Sequence, residues 1–510
     1  MKLKDLLEGI NVLECTADLD LDITNIVRDT RKDIPAGSLF VAVSGFAFDG
    51  NRYIPMAMEK GAAAVITAKK PDMDVPYILV DSDRKALAML GVNFYGHPAE
   101  KMTMIGITGT NGKTSVTLLL KHLLETTVGA KVGLVGTMGN MIGDVELPTE
   151  RTTPESFELQ ALFAQMVEAG CTHCVMEVSS HALTLDRVGG VHYDVAAFTN
   201  LTEDHLDFHK TMEAYCDAKA ELFHRCDRGV LNRDDEWFDR MVSGATCEML
   251  TTSVKNRAGL VAEDLELLSD GICFTAVMDG KKVQVRLPIP GKFTVYNALT
   301  VLGVAVQLGI SLEQAAEALT TAQGVKGRVE VVPTPGQPYT VLVDYAHTPD
   351  GLENVLSSVR GFCKGCLIAV FGCGGDRDPI KRPIMGAIGV KLADHTIITS
   401  DNPRTEDPMA IIRDIVANLE EGSWEIIEDR RKAIRYAMDI AKKDDIIVLA
   451  GKGHETYQEI NGVKYHLDER EEVAAHLKYF DSIIKLLQQI FKKVLLFGLS
   501  QCTSILMTEF

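Results

Sequence analysis

A strand, a turn and a helix follow one another from the stretch Met102-Thr103-Met104-Ile105-Gly106-Ile107-Thr108-Gly109-Thr110-Asn111-Gly112-Lys113-Thr114 onward. An apolar run ends at Thr108, a glycine turn follows, and residues 115–124 carry an apolar face at helical spacing. Glycines let backbone N–H groups approach an anion closely, and a helix N-terminus adds partial positive charge. The stretch therefore predicts a phosphate-binding loop, in which Lys113 reaches the terminal phosphates and the Thr114 hydroxyl holds Mg²⁺.

This loop departs from the strict phosphate-loop pattern at one position. The pattern places a glycine where Ile107 stands, and the glycines present are Gly106 and Gly109. The alternative interpretation is an ordinary glycine turn with a solvated Lys113. We favour phosphate binding because Gly-Lys-Thr opens the helix where that chemistry needs it.

Composition limits the class of protein. The 510 residues suggest roughly three domains, and 46% hydrophobic with 24% charged residues is typical of a globular protein. The net charge of −19 argues against a nucleic-acid partner, which needs a basic surface. It leaves nucleotide binding open, because that depends on local charge.

Targeting features and cysteines predict a cytoplasmic protein. Residues 1–8 include acids and no long apolar run, so we expect no signal peptide. No apolar segment approaches the roughly 20 residues needed to span a bilayer, so we expect no transmembrane segment. Two C-x-x-C pairs, Cys171/Cys174 and Cys363/Cys366, lie too far apart for a zinc ribbon. Reduced thiols are the expectation.

Strand, helix and turn patterns divide the chain into four segments. Residues 1–99 alternate short strands with helices, as a small α/β domain does, and 100–332 hold the phosphate loop. Residues 333–478 contain four strands that each end in polar side chains, which predicts a doubly wound sheet with a site along one edge. Residues 479–510 show helical apolar spacing with lysines, and predict a docked terminal helix or a membrane-surface helix.

Two residues of the second segment stand out as metal ligands. Glu177 lies inside an apolar strand, where an acid is costly unless it is paired or holds a metal. His205 ends a loop rich in oxygen and nitrogen ligands that follows another strand. The alternatives are a hydrogen-bonded glutamate and a surface histidine.

Taken together, these motifs resemble the Mur ligase family over about residues 20–475. The resemblance implies an α/β fold of three domains: a UDP-binding domain (1–99), a central phosphate-loop ATPase domain (100–332) and a C-terminal Rossmann-like domain (333–478). The motifs that carry it are Thr108-Gly-Thr-Asn-Gly-Lys-Thr114, Glu177-Val-Ser-Ser-His181, Asn200-Leu-Thr-Glu-Asp-His205, Ala218-Lys219, Asp344-Tyr-Ala-His347, Gly374-Gly-Asp-Arg377, Asp401-Asn-Pro-Arg404 and Gly451-Lys-Gly-His-Glu455.

The resemblance implies an ATP-driven ligase of peptidoglycan precursor synthesis. ATP would phosphorylate the D-Glu γ-carboxylate of UDP-MurNAc-L-Ala-D-Glu, and the amine of meso-diaminopimelate would attack the acyl phosphate. Two anions must meet, so such a site needs dense positive charge. The resemblance assigns catalysis to Lys113, Lys219, Glu177 and His205, and Mg²⁺ binding to Thr114, Glu177, His205 and a carbamylated Lys219. Without the resemblance, Lys219 would be taken for a helix-surface lysine.

The resemblance also implies the substrate contacts. For ATP they are Gly109, Thr110, Asn111, Gly112, Lys113, Thr114, Ser115, Asn297, Arg328 and Asp344, with His347 as a further candidate. For the UDP-linked substrate they are Thr30, Thr152, Thr153, Ser179 and Arg187. Relatives often have Ser at the position of Thr30, a change that keeps the hydroxyl. Some relatives have Gln at the position of Leu185, so one polar contact to substrate is expected to be missing there.

The stretch Asp401-Asn402-Pro403-Arg404 is the expected selector of the amino acid. Diaminopimelate differs from lysine by a distal carboxylate, which a planar guanidinium binds with two hydrogen bonds. Arg404, with Arg377, Gly451 and Glu455, is therefore expected to bind that distal end.

Three other functions remain open from the sequence. A lysine-adding member of the same family shares most motifs. Folylpolyglutamate synthetase shares the ATPase and Rossmann-like domains, but lacks a first domain like residues 1–99 and the Asp-Asn-Pro-Arg motif. A non-catalytic nucleotide-binding protein would have no chemical reason to keep Lys113, Glu177, His205 and Lys219 together. We expect a monomeric enzyme.

Overall fold

A computed structural model describes residues 1–45, 49–149, 151–420, 422 and 424–478. The predicted helical tail, 479–510, lies outside the described residues. The chain divides into two compact units. The first contains Met1–Leu265, Phe274–Arg286 and Val295–Ala322, and the second contains Glu266–Cys273, Leu287–Thr294 and the described residues from Gln323 on. The predicted segments 1–99 and 100–332 thus lie largely within one unit.

The first unit opens with a five-stranded sheet in the order β1-β5-β4-β3-β2. Strands β2 to β5 pair in parallel and β1 joins β5 antiparallel. The helix after β5 starts where the Ser82 hydroxyl accepts a hydrogen bond from the Lys85 N–H at 3.3 Å. The strands are β1 (Val12–Cys15), β2 (Ile26–Val27), β3 (Ser38–Val41), β4 (Ala62–Thr67) and β5 (Tyr77–Val80), and the helices are α1 (Leu3–Leu6), α2 (Ile54–Glu59) and α3 (Asp83–Phe94).

The central sheet has eleven strands in the order β16-β15-β14-β13-β12-β11-β6-β10-β7-β8-β9. They are β6 (Thr103–Thr108), β7 (Val132–Gly136), β8 (Gly139–Ile142), β9 (Val145–Leu147), β10 (His173–Glu177), β11 (Tyr193–Phe198), β12 (Cys226–Asn232), β13 (Glu248–Ser253), β14 (Leu260–Leu268), β15 (Gly271–Met278) and β16 (Lys281–Leu287). Strand β6 lies between β10 and β11 and is parallel to both. The carboxyl ends of these three strands therefore meet at one edge, where open α/β sheets place their sites.

Helices lie between successive strands of this sheet, and two more follow its last strand. They are α4 (Lys113–Val128), α5 (Ser156–Glu168), α6 (Ser180–Thr184), α7 (Leu206–His209), α8 (Met212–Ala220), α9 (Phe238–Met241), α10 (Lys292–Gln307) and α11 (Leu312–Leu319). Helix α4 buries Val116, Leu119, Leu120 and Leu123, which recur every three or four residues along one face. Gly129, with φ +63°, ends it in the left-handed conformation. The helix is held firmly behind the phosphate loop as a result.

The second unit contains a six-stranded sheet in the order β17-β18-β22-β19-β20-β21. Strands β18, β22, β19 and β20 pair in parallel, so the four polar strand ends share one edge, as the sequence predicts. Strand β17 pairs with β18, so this sheet begins just before the predicted boundary at 333. The strands are β17 (Glu330–Val332), β18 (Thr340–Asp344), β19 (Leu367–Phe371), β20 (His395–Ile398), β21 (Trp424–Ile426) and β22 (Ile446–Ala450).

Helices flank that sheet, and a two-stranded hairpin and then the helical residues 469–478 follow it along the chain. The elements are α12 (Pro349–Arg360), α13 (Lys381–Leu392), α14 (Pro408–Val416), α15 (Arg430–Ile440), β23 (Tyr457–Ile460) and β24 (Val463–His466), and short 3₁₀ turns elsewhere cover Gly50–Tyr53, Ala99–Lys101 and Glu221–His224. None of the described helices is long and apolar enough to cross a membrane.

Candidate active site

Two glycines give the phosphate loop a shape that other residues would distort. Gly109 has φ +142°, and a β-carbon there would overlap the Thr199 hydroxyl. Gly112 has φ +86°, and a β-carbon there would lie 2.5 Å from Asn297 Oδ1. The structure thus brings Asn297 of α10 to the loop, next to the residues predicted to bind ATP.

The rest of the loop is braced by Asn200, which follows β11. Its Oδ1 accepts a hydrogen bond from the Asn111 N–H at 3.0 Å, and its Nδ2 donates to the Asn111 carbonyl at 3.1 Å. The Thr110 N–H donates to the Asn200 carbonyl at 2.8 Å. Ser115 is half-buried in the first turn of α4. The predicted loop residues therefore form one connected structure.

The two predicted catalytic lysines converge on one carbonyl. Lys113 Nζ donates to the carbonyls of Gly109 and Thr110, each at 2.8 Å, and Lys219 Nζ donates to that of Gly109 at 2.9 Å. Lys219 is only 2% exposed, and its Nζ lies 4.7 Å from the ring centre of Tyr215. Burial, reinforced by the charge of Lys113, lowers the pKa of Lys219 well below its usual value. The fold thereby favours the neutral amine of Lys219.

Glu177 ends β10 and is 1% exposed. Its Oε1 accepts hydrogen bonds from the Thr114 hydroxyl and the Thr137 N–H, both at 2.9 Å, and its Oε2 accepts from the Thr137 hydroxyl at 3.1 Å. The Thr137 hydroxyl also lies 3.0 Å from that of Thr152. Carboxylate and hydroxyl oxygens are the hard ligands that Mg²⁺ prefers. The sequence analysis missed Thr137, although it directly follows β7, the strand beside β10.

His205 lies in a group of aromatic rings. It has φ +53°, and its ring centre is 4.9 Å from that of His181 and 6.2 Å from that of Tyr215. The Tyr215 hydroxyl in turn lies 3.2 Å from that of Thr110, which connects this group to the phosphate loop.

Among the described residues, no group of three or more His, Cys, Asp and Glu side chains is placed to hold a metal ion. The predicted Mg²⁺ ligand set has only two such side chains, Glu177 and His205, beside Thr114 and a modified Lys219. It therefore stays a prediction, supported at Thr114 and Glu177 by their direct hydrogen bond.

The predicted contacts to the UDP-linked substrate lie next to Glu177. The Thr153 hydroxyl donates to the Glu177 carbonyl at 2.9 Å and accepts from the Ser179 N–H at 3.3 Å. Arg187 Nη1 donates to the Thr153 carbonyl at 3.3 Å. With Thr152, four of the five predicted residues are thus brought together.

Thr30, the fifth residue predicted to contact the UDP-linked substrate, lies shortly after β2 of the five-stranded sheet. It is buried, and its carbonyl accepts a hydrogen bond from Lys60 Nζ at 2.7 Å. Beside it, hydrogen bonds from Arg31 lower the pKa of Asp29 to about 2. In the part of the chain that is described, no hydrogen bond links Thr30 to the other four.

The predicted ATP contacts of the second unit gather at the end of β18. Asp344 accepts hydrogen bonds at 2.8 Å from the N–H groups of Val329 and Ala346. Burial raises the pKa of Asp344, against these hydrogen bonds and the charge of Arg328. Arg328 is exposed, and His347 is exposed as well, with Nδ1 2.9 Å from the carbonyl two residues before it.

A buried lysine organises the predicted amino-acid pocket. Lys452 is 0% exposed, and its Nζ lies 3.2 Å from Asp401 Oδ1, 3.0 Å from Asn402 Oδ1 and 3.4 Å from Glu455 Oε2. Asn402 Nδ2 donates to Glu455 Oε2 at 2.9 Å. A β-carbon on Gly451, which has φ +116°, would lie 2.7 Å from Asp401 Oδ2. Four predicted residues are thus joined through one that was not predicted, although it lies in the quoted Gly-Lys-Gly-His-Glu motif.

A second buried cation lies under this pocket. Arg430 is paired with Glu469 at 2.8 Å, both side chains being fully buried, and Arg430 Nη2 donates to the Ala450 carbonyl at 2.8 Å. Burial acts to raise the pKa of Asp401, but the charges of Lys452 and Arg430 outweigh it and hold that pKa below its usual value. Asp401 is therefore ionised.

Two contacts fix the orientation of the Arg404 guanidinium. Nη1 donates to the Gly375 carbonyl at 2.7 Å, and Nε lies 3.5 Å from Glu459 Oε2. A β-carbon on Gly375 would overlap the Pro403 carbonyl, so the two loops pack closely here. The backbone of Arg404 is left-handed, with φ +51°.

Arg377 approaches the same place from the surface. It is exposed, and its Nη1 donates to the carbonyl of the preceding residue at 3.3 Å. A β-carbon on Gly374 would lie 2.9 Å from Arg404 Nη1 and 4.0 Å from Arg377 Cγ. The two predicted arginines therefore both lie close to Gly374.

Comparison with known proteins finds two family domains in the chain. Residues 107–305 match the Mur ligase middle domain, and residues 327–453 match the Mur ligase, glutamate ligase domain. The UDP-N-acetylmuramoyl-L-alanyl-D-glutamate–2,6-diaminopimelate ligase 1 of Clostridium acetobutylicum is 47% identical over 94% of this chain and 99% of its own.

Solved structures show the same relationship. A UDP-N-acetylmuramoyl-L-alanyl-D-glutamate–2,6-diaminopimelate ligase superposes with a TM-score of 0.77, at 32% identity, over 94% of this chain and 99% of that one. A Mycobacterium tuberculosis folylpolyglutamate synthase reaches a TM-score of 0.54 at 18% identity, over 72% of this chain and 92% of that one. The second likeness concerns the fold alone.

Proposed function

The chain belongs to the Mur ligase family, and within it to the ligases that add 2,6-diaminopimelate, and from this membership we propose which residues carry the reaction. The three-domain α/β fold and the peptidoglycan function implied by the sequence are thereby confirmed. The protein is an ATP-dependent ligase that adds meso-2,6-diaminopimelate to UDP-N-acetylmuramoyl-L-alanyl-D-glutamate. The lysine-adding, folylpolyglutamate and non-catalytic alternatives are set aside on the same comparison.

The reaction proceeds in two transfers. The D-Glu γ-carboxylate attacks the γ-phosphorus of ATP, which forms an acyl phosphate and releases ADP. The amine of diaminopimelate then attacks the acyl carbon and loses a proton, which forms the amide and releases phosphate. Both transfers concentrate negative charge, so positive groups at the phosphates lower the barrier.

The phosphate loop and Lys113 hold the triphosphate. Lys113 Nζ, hydrogen-bonded to the carbonyls of Gly109 and Thr110 at 2.8 Å, exchanges those acceptors for phosphate oxygens when ATP binds. Asn297 supports the loop at Gly112. Arg328 and Asp344 are the ATP contacts of the second unit, with His347 as a further candidate.

Mg²⁺ fits the oxygen ligands around Glu177. Thr114 and Glu177 would hold it, with His205 and the carbamate of Lys219 as further ligands, and the ion would neutralise charge on the phosphates. Carbamylation needs a neutral amine, which attacks CO₂ and releases a proton. The buried position of Lys219 and its lowered pKa support that step, because they favour the unprotonated form.

Thr30, Thr152, Thr153, Ser179 and Arg187 hold the UDP-linked substrate. The hydrogen bond from the Thr153 hydroxyl to the Glu177 carbonyl, at 2.9 Å, supports this for Thr152, Thr153, Ser179 and Arg187, because it joins that group to Glu177, which accepts from Thr114 of the phosphate loop. In the second unit, Arg404 and Arg377 bind the distal carboxylate of diaminopimelate. Asp401, Asn402 and Glu455 bind the ammonium group at the same distal end, not the amine that reacts. Gly451 and Pro403 shape the pocket.

One observation carries the proposed ATP and Mg²⁺ site. Thr114, on the phosphate loop, donates a hydrogen bond of 2.9 Å to Glu177, on the neighbouring strand. The experiment incubates the full chain with ATP, Mg²⁺, the UDP-linked dipeptide and either diaminopimelate or lysine. We expect ADP release and a product whose mass reports one added diaminopimelate. A lysine product formed equally well, or ADP release without product, would overturn the proposal.

We also propose that the enzyme works as a monomer in the cytoplasm, where ATP and nucleotide-linked precursors are found. Light scattering of the purified chain tests the first part, because a dimer would double the mass of 55.8 kDa.

A further inference from the structure

Three arginines surround one glutamate at the start of α5, in the first unit. Glu155 Oε1 lies 3.0 Å from Arg187 Nε and contacts Arg151 Nη1, and its Oε2 lies 3.8 Å from Arg84 Nη1. Glu155 is the N-cap residue of α5, but its side chain makes no capping hydrogen bond. The carboxylate is thus committed to the arginines and not to the helix.

A second pair extends the cluster by one helical turn. Glu158 Oε1 accepts hydrogen bonds from Nε and Nη2 of Arg28, at 3.1 and 2.6 Å. Residues three apart on a helix share a face, so Glu155 and Glu158 point the same way. Arg28 directly follows β2 and Arg84 lies in α3, whereas Arg151 and Arg187 belong to the central segment. The cluster therefore joins residues from both parts of the first unit.

This arginine cluster, formed by Arg28, Arg84, Arg151 and Arg187 with Glu155 and Glu158, carries an excess of positive charge. Four guanidiniums face two carboxylates, which leaves two positive charges unbalanced within the cluster. Burial lowers the pKa of Arg187, the charge of Glu155 acts to raise it, and the three other arginines lower it further. A guanidinium keeps its charge even so, so Glu155 and Glu158 offset only part of the repulsion among the four arginines.

The cluster is continuous with the proposed substrate site. Arg187 Nη1 donates to the Thr153 carbonyl at 3.3 Å, and Arg151 directly precedes Thr152. The side chains of Arg84 and Arg28 are 22% and 34% exposed, so a ligand from solvent can reach them.

We propose that the arginine cluster binds the diphosphate of the UDP-linked substrate, and that Glu155 is a resident counter-ion which the diphosphate displaces. This inference rests on the proposed function, since it deepens the site around Thr153 and Arg187. Guanidiniums bind phosphate oxygens through paired N–H donors, and a diphosphate supplies the two negative charges that the cluster lacks. In the free enzyme Glu155 holds three arginines in place and weakens substrate binding by competing for them.

Calorimetric binding of UDP, UMP and uridine to the full chain tests the proposal. We expect Arg84→Met to raise the Kd of UDP about tenfold, the effect of one lost charge-assisted hydrogen bond, and to change uridine binding less than about twofold. Glu155→Gln, which removes the competing charge, is expected to lower the Kd of UDP by about fivefold. UMP should respond less than UDP in both variants.

Arg413→Met serves as the matched control, because Arg413 forms an exposed ion pair with Asp407 at 3.3 Å on α14. Unchanged ADP binding and melting temperature show that each variant is folded. UDP binding that Arg84→Met leaves unaltered would overturn the proposal, and so would weaker UDP binding by Glu155→Gln. An equal loss for uridine and UDP would assign the cluster to the base or to structure.

These outcomes are separable from those of the ligation assay. If the wild-type chain forms the diaminopimelate product while the Kd of UDP is unchanged in Arg84→Met and Glu155→Gln, only this inference fails. If the wild-type chain binds UDP as expected but forms no product, the proposed function fails and the diphosphate site remains.

Discussion

Replacing Arg404 by methionine separates recognition of the distal carboxylate from the rest of the reaction. The guanidinium has five N–H donors, two each on Nη1 and Nη2 and one on Nε. One Nη1 proton is donated to the Gly375 carbonyl at 2.7 Å, and Nε lies 3.5 Å from Glu459 Oε2. Within the described residues this guanidinium makes no other hydrogen bond, so the Nη2 donors and the second proton of Nη1 are available to a carboxylate. Two hydrogen bonds to a charged group, taken at the low end of about 1.5 kcal/mol each, give about 3 kcal/mol.

That free energy predicts a loss of roughly 100-fold in kcat/KM for diaminopimelate. Arg404→Lys keeps the charge but not the paired donors, so a loss of roughly tenfold is expected. ADP release coupled to product mass measures both, with Arg413→Met as the control and lysine as the second amine. An unchanged kcat/KM for diaminopimelate would refute the reasoning. An equal fall with lysine, which lacks the distal carboxylate, would do the same.

Three further substitutions test the first unit. Glu177→Gln removes the carboxylate that accepts from Thr114, so the Mg²⁺ concentration for half-maximal ADP release should rise at least about tenfold, as a Mg²⁺ titration of the rate will show. Lys219→Met should abolish turnover. Because the pKa of Lys219 is lowered in the folded protein, the unfolded chain binds more protons, and the free energy of unfolding rises with pH up to the usual pKa of 10.5. In CO₂-free buffer, the melting temperature of the variant should therefore rise less steeply with pH than that of the wild type. Gly109→Ala forces a side chain to φ +142° against the Thr199 hydroxyl, which should cost about 1–3 kcal/mol and weaken ADP binding; melting and calorimetry check this, and an unaltered variant would contradict the loop geometry.

Local pattern was enough to predict the elements that carry the site. The predicted helix at 115–124 is α4, Lys113–Val128, and the predicted strands that end in Glu177 and Asp344 are β10 and β18. Such elements follow from apolar spacing and glycine turns, which are properties of neighbouring residues. The helical tail at 479–510 stays a prediction.

Thr137 and Lys452 show where that reasoning stopped. Thr137 reaches Glu177, 40 residues away, and Lys452 reaches Asp401, 51 residues away. Each is a single polar residue shortly after a strand, and although Lys452 lies in the Gly451-Lys-Gly-His-Glu455 motif, nothing in the neighbouring sequence shows which side chain it contacts. Only the pairing of β7 with β10, and of β22 with its neighbours, brings these side chains to their partners.

The sequence by itself determined the α/β class, the family and the chemistry, because a phosphate loop, an acid at a strand end and an arginine selector are encoded in short runs of residues. Tertiary structure alone decided the pKa values and the ion-pair partners of the side chains in and around the site. The pKa of Lys219 depends on burial and on Lys113, and the ion pairs of Glu155 depend on three arginines from separate parts of the chain. Charge and solvation act through space, so they are set only when distant parts of the chain are packed together.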